Sequence, residues 1–302
     1  MPRYAIMSEL HANWEALVAV YRSVLSQGNI RDLCVLGDLI GYGPNPNEVI
    51  QGLKDIEAAG LRLYLNMGGH DVAVLGDYEF VDLDNPADLD RVREQTGLQT
   101  RQEIHRAFRR KTSRHFIPVR PEAKAALLWT KERLRPESLE FLRQRLQERI
   151  ELKPGVVCVH GSARDPIFEY VHDNRFALKS FEAKEMDGVR VCFVGHTHQP
   201  MVWSARIEDR LSFAGKVVLL SRPTPSMPTH LKFDFTTYYY IVNVGAVGQP
   251  RDGDPRSCYV IYDSDREQVD FVRVPYDVQR TKAKIFEYGL PPVLATRLDQ
   301  GT

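Results

Sequence analysis

The sequence lacks both a net charge and a long apolar run. Its 302 residues include 40 Lys and Arg against 40 Asp and Glu, so the formal net charge is zero. No overall field attracts nucleic acid or an anionic membrane, and an anionic ligand must be held by local groups. The first apolar stretch is too short for a signal-peptide core, and no later run approaches the roughly 20 residues of a membrane span. We expect a cytoplasmic protein that binds neither nucleic acid nor a membrane.

Cysteines are also few, and they are scattered without Cys-x-x-Cys spacing. They are Cys34, Cys158, Cys192 and Cys258, and the first three lie in apolar runs. This pattern predicts reduced thiols in the core, because a disulfide framework is normally denser. Hydrophobic residues make up 43% of the chain, which is enough apolar material for a large core.

Short apolar runs alternate with helix-like segments near the N-terminus. Residues 13–26 and 47–59 have a helical pattern and follow the first two runs, and strand, loop and helix in repetition are typical of βαβ units. Buried strands are predicted over residues 4–7, 33–36, 61–65, 156–159 and 191–194.

The middle of the chain is predicted to be a helical insertion, or cap, over about residues 72–150 of a single domain 1–302. Helices are expected over 101–114, 121–134 and 136–150. The arginines of this segment alternate with Glu and Gln at helical spacing, which indicates a solvated face. A cap that offers Arg to a substrate phosphate is the alternative.

The C-terminal part is predicted to form a second, antiparallel sheet. Alternating segments at 216–220, 235–244, 258–262 and 269–274 have strand character, the Pro-rich residues 222–228 are expected to form a loop, and a final helix is expected over 278–288.

Five polar clusters stand at or just after predicted strand ends. Together they gather five histidines and three carboxylates at one edge of a sheet, where open α/β folds place their ligands. A single cluster of this kind usually has a structural role. The inference of a ligand site therefore depends on the order of all five clusters along the chain. Imidazole combined with carboxylate suits Mn, Fe, Ni or Zn. The clusters are Glu9-Leu10-His11, Gly37-Asp38, Gly68-Gly69-His70-Asp71, His160-Gly161 and Gly195-His196-Thr197-His198.

This order resembles the signature of the calcineurin-like metallophosphoesterases, which runs Asp-x-His, Gly-Asp, Gly-Asn-His-Asp or Glu, a single His, then Gly-His-x-His. The resemblance covers residues 9–198. It continues into 243–256, which is similar to the C-terminal motif of a prokaryotic branch related to diadenosine tetraphosphatases and other small phosphodiesterases or phosphatases. The resemblance implies an α/β fold, namely a four-layer αββα sandwich.

The resemblance also implies two divalent metal ions, which could be Mn, Fe, Ni, Zn or Mg. Asp38 would bridge them, a hydroxide shared by the two ions would attack phosphorus, and His70 would protonate the departing oxygen while Asp71 orients its imidazole. The implied ligands are Glu9, His11, Asp38 and His198 for one ion and Asp38, His160 and His196 for the other.

Two positions depart from the family signature. Glu9 replaces Asp and keeps the carboxylate on a longer stem, whereas Gly69 replaces Asn and has no side chain. The second ion would then keep three protein ligands, a number compatible with an open catalytic site. We therefore expect weaker occupancy of the second metal site.

Residues that follow the clusters are candidates for binding substrate. Tyr42 and Asn45 lie in a turn-rich stretch after Asp38, and Arg251 lies in a Gly-Gln-Pro-Arg stretch. Each also has a structural interpretation, as part of a loop or of a strand end. Asn13 is better explained as the N-cap of the first helix than as a site residue.

The leading hypothesis is an enzyme that hydrolyses a small phosphomonoester, phosphodiester or nucleotide phosphoanhydride. A protein Ser/Thr phosphatase is disfavoured because Met67 stands where that family has Arg, and a nuclease is disfavoured because no basic stripe is present. The alternative from another class is a catalytically weakened regulatory protein that binds metal or a nucleotide, which Glu9 and Gly69 together motivate.

Overall fold

A computed structural model describes residues 3–76, 78–109, 116–209, 218–221 and 230–302. The strands are β1 (Arg3–Met7), β2 (Ile30–Val35), β3 (Arg62–Leu65), β4 (Glu79–Val81), β5 (Phe116–Pro118), β6 (Arg149–Lys153), β7 (Val156–Val159), β8 (Val191–Val194), β9 (Pro200–Arg206), β10 (Val218–Ser221), β11 (His230–Lys232), β12 (Tyr238–Val244), β13 (Ser257–Asp263) and β14 (Gln268–Val274). The α-helices are α1 (Trp14–Ser26), α2 (Pro46–Ala58), α3 (Gly69–Leu75), α4 (Pro86–Thr96), α5 (Arg101–Arg109), α6 (Pro121–Arg133), α7 (Pro136–Arg145), α8 (Asn174–Phe181), α9 (Val278–Glu287) and α10 (Pro292–Gln300).

Two six-stranded sheets form the centre of the fold. The first has the order β11-β14-β13-β1-β2-β3 and the second has the order β10-β9-β12-β8-β7-β6. Strands β1, β2 and β3 are parallel to one another, as are β7, β8 and β12. Each sheet therefore directs the carboxyl ends of three strands to a single edge.

Side-chain alternation along the strands builds the layers. In β1, Tyr4 and Ile6 belong to the core between the two sheets, whereas Ala5 and Met7 belong to the core shared with α1 and α2. The outer face of the second sheet packs against α8 through residues such as Phe181. The predicted four-layer αββα sandwich is confirmed.

The described residues of 72–150 are mostly helical, as expected, and contain a small core of their own. Strands β4 and β5 pair in parallel and pack with α4 around Phe116 and Val92, an element that the sequence did not predict. Helices α6 and α7 contact α3, and α7 also contacts α2. Of the helix predicted over 101–114, residues 101–109 are helical and 110–114 lie outside the described residues.

The predicted assignment of the C-terminal strands to one second sheet is wrong. Strand β12 lies in the second sheet, but β13 and β14 join the first sheet, where β13 pairs antiparallel with β1. Alternation of apolar residues identifies a strand but does not say which sheet it joins, because pairing depends on distant parts of the chain. Residues 216, 217 and 222–228 lie outside the described residues. Strands β6, β9 and β11 and helices α8 and α10 were not predicted. The helix predicted over 136–150 ends at Arg145, and β6 begins at Arg149.

The four cysteines are free and buried, as the sequence predicted. In the part of the chain that the structure describes, no helix is long and apolar enough to cross a membrane.

Candidate metal centre

The predicted ligands lie on loops that leave the carboxyl ends of parallel strands. Glu9 and His11 follow β1, Asp38 follows β2, His160 follows β7, and the pair His196 and His198 follows β8. Because these strand ends point to one edge of the two sheets, the loops meet there. The structure brings all six predicted ligands into one buried cluster.

The backbone of this cluster is held in an uncommon conformation. Left-handed φ angles between 44° and 65° occur at five of the six predicted ligands: Glu9, His11, Asp38, His196 and His198. Such angles cost free energy in residues other than glycine and persist where the surroundings enforce them, often at functional sites. The neighbouring Gly37 has φ +96°, and a Cβ on it would lie 2.6 Å from the backbone nitrogen of Gly68. Glycine at this position is thus required for the loops after β2 and β3 to approach each other.

The first ligand set consists of Glu9, His11 and His198. Glu9 Oε2 lies 3.1 Å from His11 Nε2 and 3.0 Å from His198 Nε2, and the two imidazole nitrogens are 3.3 Å apart. The other carboxylate oxygen of Glu9 accepts hydrogen bonds from the backbone nitrogen of His196 at 2.7 Å and from the hydroxyl of Ser8 at 2.8 Å. One oxygen of Glu9 is therefore held by Ser8 and the backbone, and the other faces His11 and His198.

The second ligand set consists of Asp38, His160 and His196. His160 Nε2 lies 2.8 Å from His196 Nδ1 and 3.7 Å from Asp38 Oδ2. The same Asp38 oxygen lies 3.7 Å from His11 Nε2 in the first set. The same Asp38 oxygen thus lies at equal distance from an Nε2 atom of each set.

Backbone carbonyls orient three of the four imidazoles in the two sets. His198 Nδ1 lies 2.6 Å from the carbonyl oxygen of Gln249, His160 Nδ1 lies 2.8 Å from that of Leu36, and His11 Nδ1 lies 3.4 Å from that of Ile40. A carbonyl oxygen accepts only a protonated Nδ1, so in the neutral ring the lone pair is on Nε2, which faces the cluster. This is the arrangement that metal-binding histidines usually adopt.

The two carboxylates of the cluster differ in how well neighbouring groups compensate their charge. Burial, together with the charge of Glu9, raises the pKa of Asp38 well above its ordinary value. Burial also acts to raise the pKa of Glu9, but the imidazoles of His198 and His160 and hydrogen bonds lower it well below its usual range. Buried carboxylates of this kind are usually paired or coordinate a metal. The donor set of carboxylate oxygens and neutral imidazole nitrogens therefore fits divalent metal ions.

His70 lies beside the first set, at the beginning of α3. A third possible metal-binding group joins it with His11 and Asp38. Its ring packs edge-on against His11 with centroids 4.9 Å apart, and its Nδ1 has no hydrogen-bond partner among the described residues. Burial and the neighbouring His11 lower the pKa of His70 well below its ordinary value, so the imidazole is neutral at pH 7.

Asp71 does not have the orienting role that the resemblance implied. Its Oδ1 accepts hydrogen bonds from the backbone nitrogens of Leu39 and Ile40, and its Oδ2 accepts one from Gly68. Residues adjacent in a helix do not face each other, so Asp71 cannot hold the ring of its neighbour His70 in this way. It ties the loop after β2 to the start of α3, and burial raises its pKa to about 6.

Comparison with known proteins agrees with this arrangement. A family model described as calcineurin-like phosphoesterase matches residues 2–200. The chain belongs to the calcineurin-like phosphoesterase family. The family and the buried histidine and carboxylate sets support a metal-dependent phosphoesterase, which is a hydrolase.

Relatives of this phosphoesterase extend over its full length. An uncharacterised protein of Methanocaldococcus jannaschii is 29% identical over 301 residues, which covers 98% of this chain and 97% of the relative. The crystal structure of a metallophosphoesterase from Sphaerobacter thermophilus is 34% identical, with a TM-score of 0.70 and coverage of 99% of both chains. A hypothetical protein from Pyrococcus horikoshii OT3 is 18% identical, with a TM-score of 0.68 and coverage of 100% of this chain and 99% of its own, and shares the fold.

Two of the three predicted substrate-binding residues of this phosphoesterase lie beside its predicted ligands. The ring of Tyr42 packs on His11 and His70, with centroids 4.7 and 4.3 Å apart. The guanidinium of Arg251 lies 5.6 Å from the centre of the Tyr42 ring and donates to Gln249 Oε1 at 2.6 Å. Both side chains therefore lie close to the predicted ligands.

Asn45 has a different environment. Its side chain is 3% exposed, and its Oδ1 accepts a hydrogen bond from Lys284 Nζ at 3.1 Å. It therefore belongs to the contact between the start of α2 and α9, rather than to an open cleft. The structural interpretation of Asn13 is confirmed, because its Oδ1 accepts from the backbone nitrogen of Ala16 at the start of α1.

Several residues around the ligands were not found by sequence reasoning. Ser8 and Gln249 position ligands through a hydroxyl and a backbone carbonyl, and both stand next to motifs that were recognised. Phe168 and Tyr170 lie beside Gly69 and His196, but they belong to a stretch without any motif. No sequence signal could have placed them at the centre.

Proposed function

We propose that this chain is a dinuclear metallophosphoesterase that hydrolyses a small phosphomonoester, phosphodiester or nucleotide phosphoanhydride. The observation that carries the proposal is the position of Asp38, whose Oδ2 lies 3.7 Å from both His11 Nε2 and His160 Nε2. A carboxylate between two sets of imidazoles suits a shared ligand of two ions. Glu9, His11, Asp38 and His198 would hold one ion, and Asp38, His160 and His196 would hold the other.

The bound ions would supply a nucleophile from water at neutral pH and neutralise charge on the phosphoryl oxygens. The candidate ions are Mn, Fe, Ni, Zn and Mg, each of which suits carboxylate ligands, imidazole ligands or both. Arg251 would bind a phosphoryl oxygen, because its guanidinium is held over Tyr42 and next to the cluster by Gln249. Tyr42 would form the wall of the pocket on the side of the first set.

His70 would be the general acid that protonates the departing oxygen. Its free Nδ1 and its position beside His11 and Asp38 support this role. The low pKa of the unliganded imidazole would rise when a phosphate anion binds next to it, because a nearby negative charge favours the protonated ring. Asp71 would act indirectly, by holding the loop that carries Asp38 against the start of α3.

The first experiment measures hydrolysis of p-nitrophenyl phosphate and bis-p-nitrophenyl phosphate by metal-stripped protein refilled with Mn, Ni, Mg or Zn. Turnover that depends on metal and is abolished by Asp38→Asn, with about two ions bound per chain, is the expected result. The preferred ester separates a monoesterase from a diesterase. Bound metal without turnover of either compound would contradict the proposal.

A second experiment isolates His70 by leaving-group dependence. His70→Gln should lower kcat for an alkyl phosphate by about 10²- to 10⁴-fold, because a poor alkoxide leaving group needs a proton. The loss for p-nitrophenyl phosphate should be much smaller, since p-nitrophenolate leaves without protonation. Equal losses on both esters would show that His70 serves as a ligand or a structural residue instead.

The alternative function is a catalytically weakened regulatory protein that binds metal or a nucleotide. It is favoured by Glu9 and Gly69, the two positions that depart from the family signature. Metal-dependent binding of a nucleotide, together with absence of turnover after Gly69→Asn, would support it. Retention of His70 beside the ligands favours the enzyme, because a binding protein does not need a general acid.

A further inference from the structure

The missing side chain at Gly69 leaves space that an aromatic ring borders. A Cβ built on Gly69 would lie 3.6 and 3.7 Å from two ring carbons of Phe168 and 4.0 Å from Cε1 of His196. A side chain at this position would therefore enter the region between the Phe168 ring and the second ligand set. Where the family signature has the polar amide of Asn, this chain presents an apolar ring.

A second ring from the same segment covers His196. The rings of Tyr170 and His196 are stacked, with centroids 3.6 Å apart and an angle of 22° between their planes. His196 itself is 8% exposed, whereas 43% of Tyr170 is exposed. Tyr170 thus covers a predicted ligand of the second ion with one face and remains accessible from outside.

The segment that carries both rings is well anchored. The backbone nitrogen of Gly161 donates to the carbonyl of Pro166 at 2.7 Å, and Asp165 Oδ1 accepts from the backbone nitrogen of Phe168 at 3.1 Å. Glu169, which lies between Phe168 and Tyr170 in the sequence, accepts hydrogen bonds from Ser162 and Arg164, each at 2.7 Å. An anchored ring loses little entropy when another ring stacks on it, which is the condition for a useful aromatic contact.

We propose that Phe168 and Tyr170 form an aromatic wall beside the second ligand set, and that this wall selects phosphate compounds whose organic group carries a planar aromatic ring. The proposal deepens the proposed function and rests on it for the position of the phosphate. Rings prefer offset-stacked or edge-to-face contacts with other rings, and such contacts add to the burial of apolar area. A saturated ring of the same size would bury a similar apolar area on this wall but would not contribute a stacking interaction.

The test compares 2-phenylethyl phosphate with 2-cyclohexylethyl phosphate. The two esters have alcohol leaving groups of nearly equal acidity and similar size, so the ratio of their kcat/KM values reports on the planar ring alone. Tyr170→Ala should lower the phenyl-to-cyclohexyl ratio by about 5- to 10-fold, mostly through KM, because stacking binds ground state and transition state alike. Tyr170→Phe, which keeps the ring, should retain the ratio of the parent.

A merely protective role of Tyr170 over His196 predicts a different result. In that case Tyr170→Ala lowers kcat/KM for both esters by the same factor, and the ratio is unchanged, which would overturn the proposal. A metal count on each variant shows whether the ligand sets are intact. Phe168→Leu provides an independent variant, and it should lower the ratio in the same direction.

Binding of the corresponding phosphonates separates this inference from the proposed function. 2-Phenylethylphosphonate and 2-cyclohexylethylphosphonate cannot be hydrolysed at the phosphorus–carbon bond, and calorimetry with the metal-loaded protein gives their affinities directly. If the parent hydrolyses none of these esters, p-nitrophenyl phosphate and bis-p-nitrophenyl phosphate included, but prefers the phenyl phosphonate, and Tyr170→Ala removes the preference, the proposed function fails and the aromatic wall stands. If the phenyl compound has no advantage or neither phosphonate binds, the aromatic wall is wrong.

Discussion

Replacing Asp38 by Asn should remove metal-induced stabilisation while sparing the metal-free protein. Asp38 is 1% exposed, its Oδ2 faces both ligand sets, and its Oδ1 accepts a hydrogen bond from the backbone nitrogen of His70 at 2.8 Å. The carboxamide of Asn keeps an oxygen for this hydrogen bond but carries no charge. The second set, whose only carboxylate is Asp38, would be left with histidines alone.

The size of the metal-induced stabilisation follows from the linkage between metal binding and folding. At an ion concentration of 100 times Kd, each bound ion stabilises the folded protein by about 2.7 kcal/mol. Loss of an outer hydrogen-bond partner alone weakens metal binding by about 10- to 100-fold, so loss of the shared anion should cost at least about 100-fold. The same ion concentration then stabilises the variant by only about 0.4 kcal/mol per ion. With an unfolding entropy of about 0.6 kcal/mol/K for a chain of this length, the rise in Tm falls from about 4 °C to about 1 °C per ion.

Without metal, the order of stability of the two proteins should be reversed. Burial raises the pKa of Asp38, so the folded protein binds this proton more tightly than the unfolded chain does. The resulting contribution to stability is present below the ordinary carboxyl pKa of about 4 and is lost as the pH rises toward the folded value. In chelator at pH 7.5, Asp38→Asn should therefore be at least as stable as the parent.

The assay is thermal unfolding in chelator and after titration with Mn, together with a metal count. Asp32→Asn is the matched control, because Asp32 is 0% exposed on β2 and pairs with Arg62 at 2.7 Å, away from the ligand sets. The control should lose stability under both conditions and keep the metal-induced rise in Tm. An equal metal-induced rise in the parent and in Asp38→Asn would refute the reasoning.

Three further predictions concern single residues. Gly69→Asn should tighten binding of the second ion in a calorimetric titration, because the amide oxygen adds a ligand, whereas Gly69→Ala should not; two equally tight sites in the parent would contradict this. Burial lowers the pKa of His198 to about 3, so the metal-free folded protein keeps this imidazole neutral while the unfolded chain takes up a proton below about pH 6.5. As the pH falls from 7 to 3 in urea unfolding, the metal-free parent should lose about 4 kcal/mol relative to His198→Gln, and a constant difference would exclude this contribution. Asn13→Ala should lower the free energy of unfolding by about 2 to 3 kcal/mol, because it removes the N-cap of α1 and the hydrogen bond to the carbonyl of Gly248, while Asn13→Asp should recover about half; urea unfolding measures both, and no difference between them would count against the capping role.

Much of the candidate metal centre could be predicted because the strand ends are visible in the sequence and the family resemblance supplied the ligand assignment. Polar residues directly after an apolar strand reach the edge of the sheet whatever the rest of the fold, and all six predicted ligands lie there. The roles of neighbouring residues could not be predicted in the same way. Asp71 was expected to orient His70, but its oxygens accept from backbone nitrogens of the loop after β2, and only the packing of that loop against α3 reveals them.

The sequence by itself determined which side chains are available at the strand ends, where most central strands and helices lie, and which chemistry the imidazoles and carboxylates can perform. Only the tertiary structure decided that β13 and β14 join the first sheet, that five ligands adopt left-handed backbone angles, and that Tyr170 stacks on His196. The physical reason is the distance along the chain over which each of these effects acts. Side-chain type and periodicity act over a few residues, whereas sheet partners, enforced backbone angles and ring contacts depend on groups that are distant along the chain.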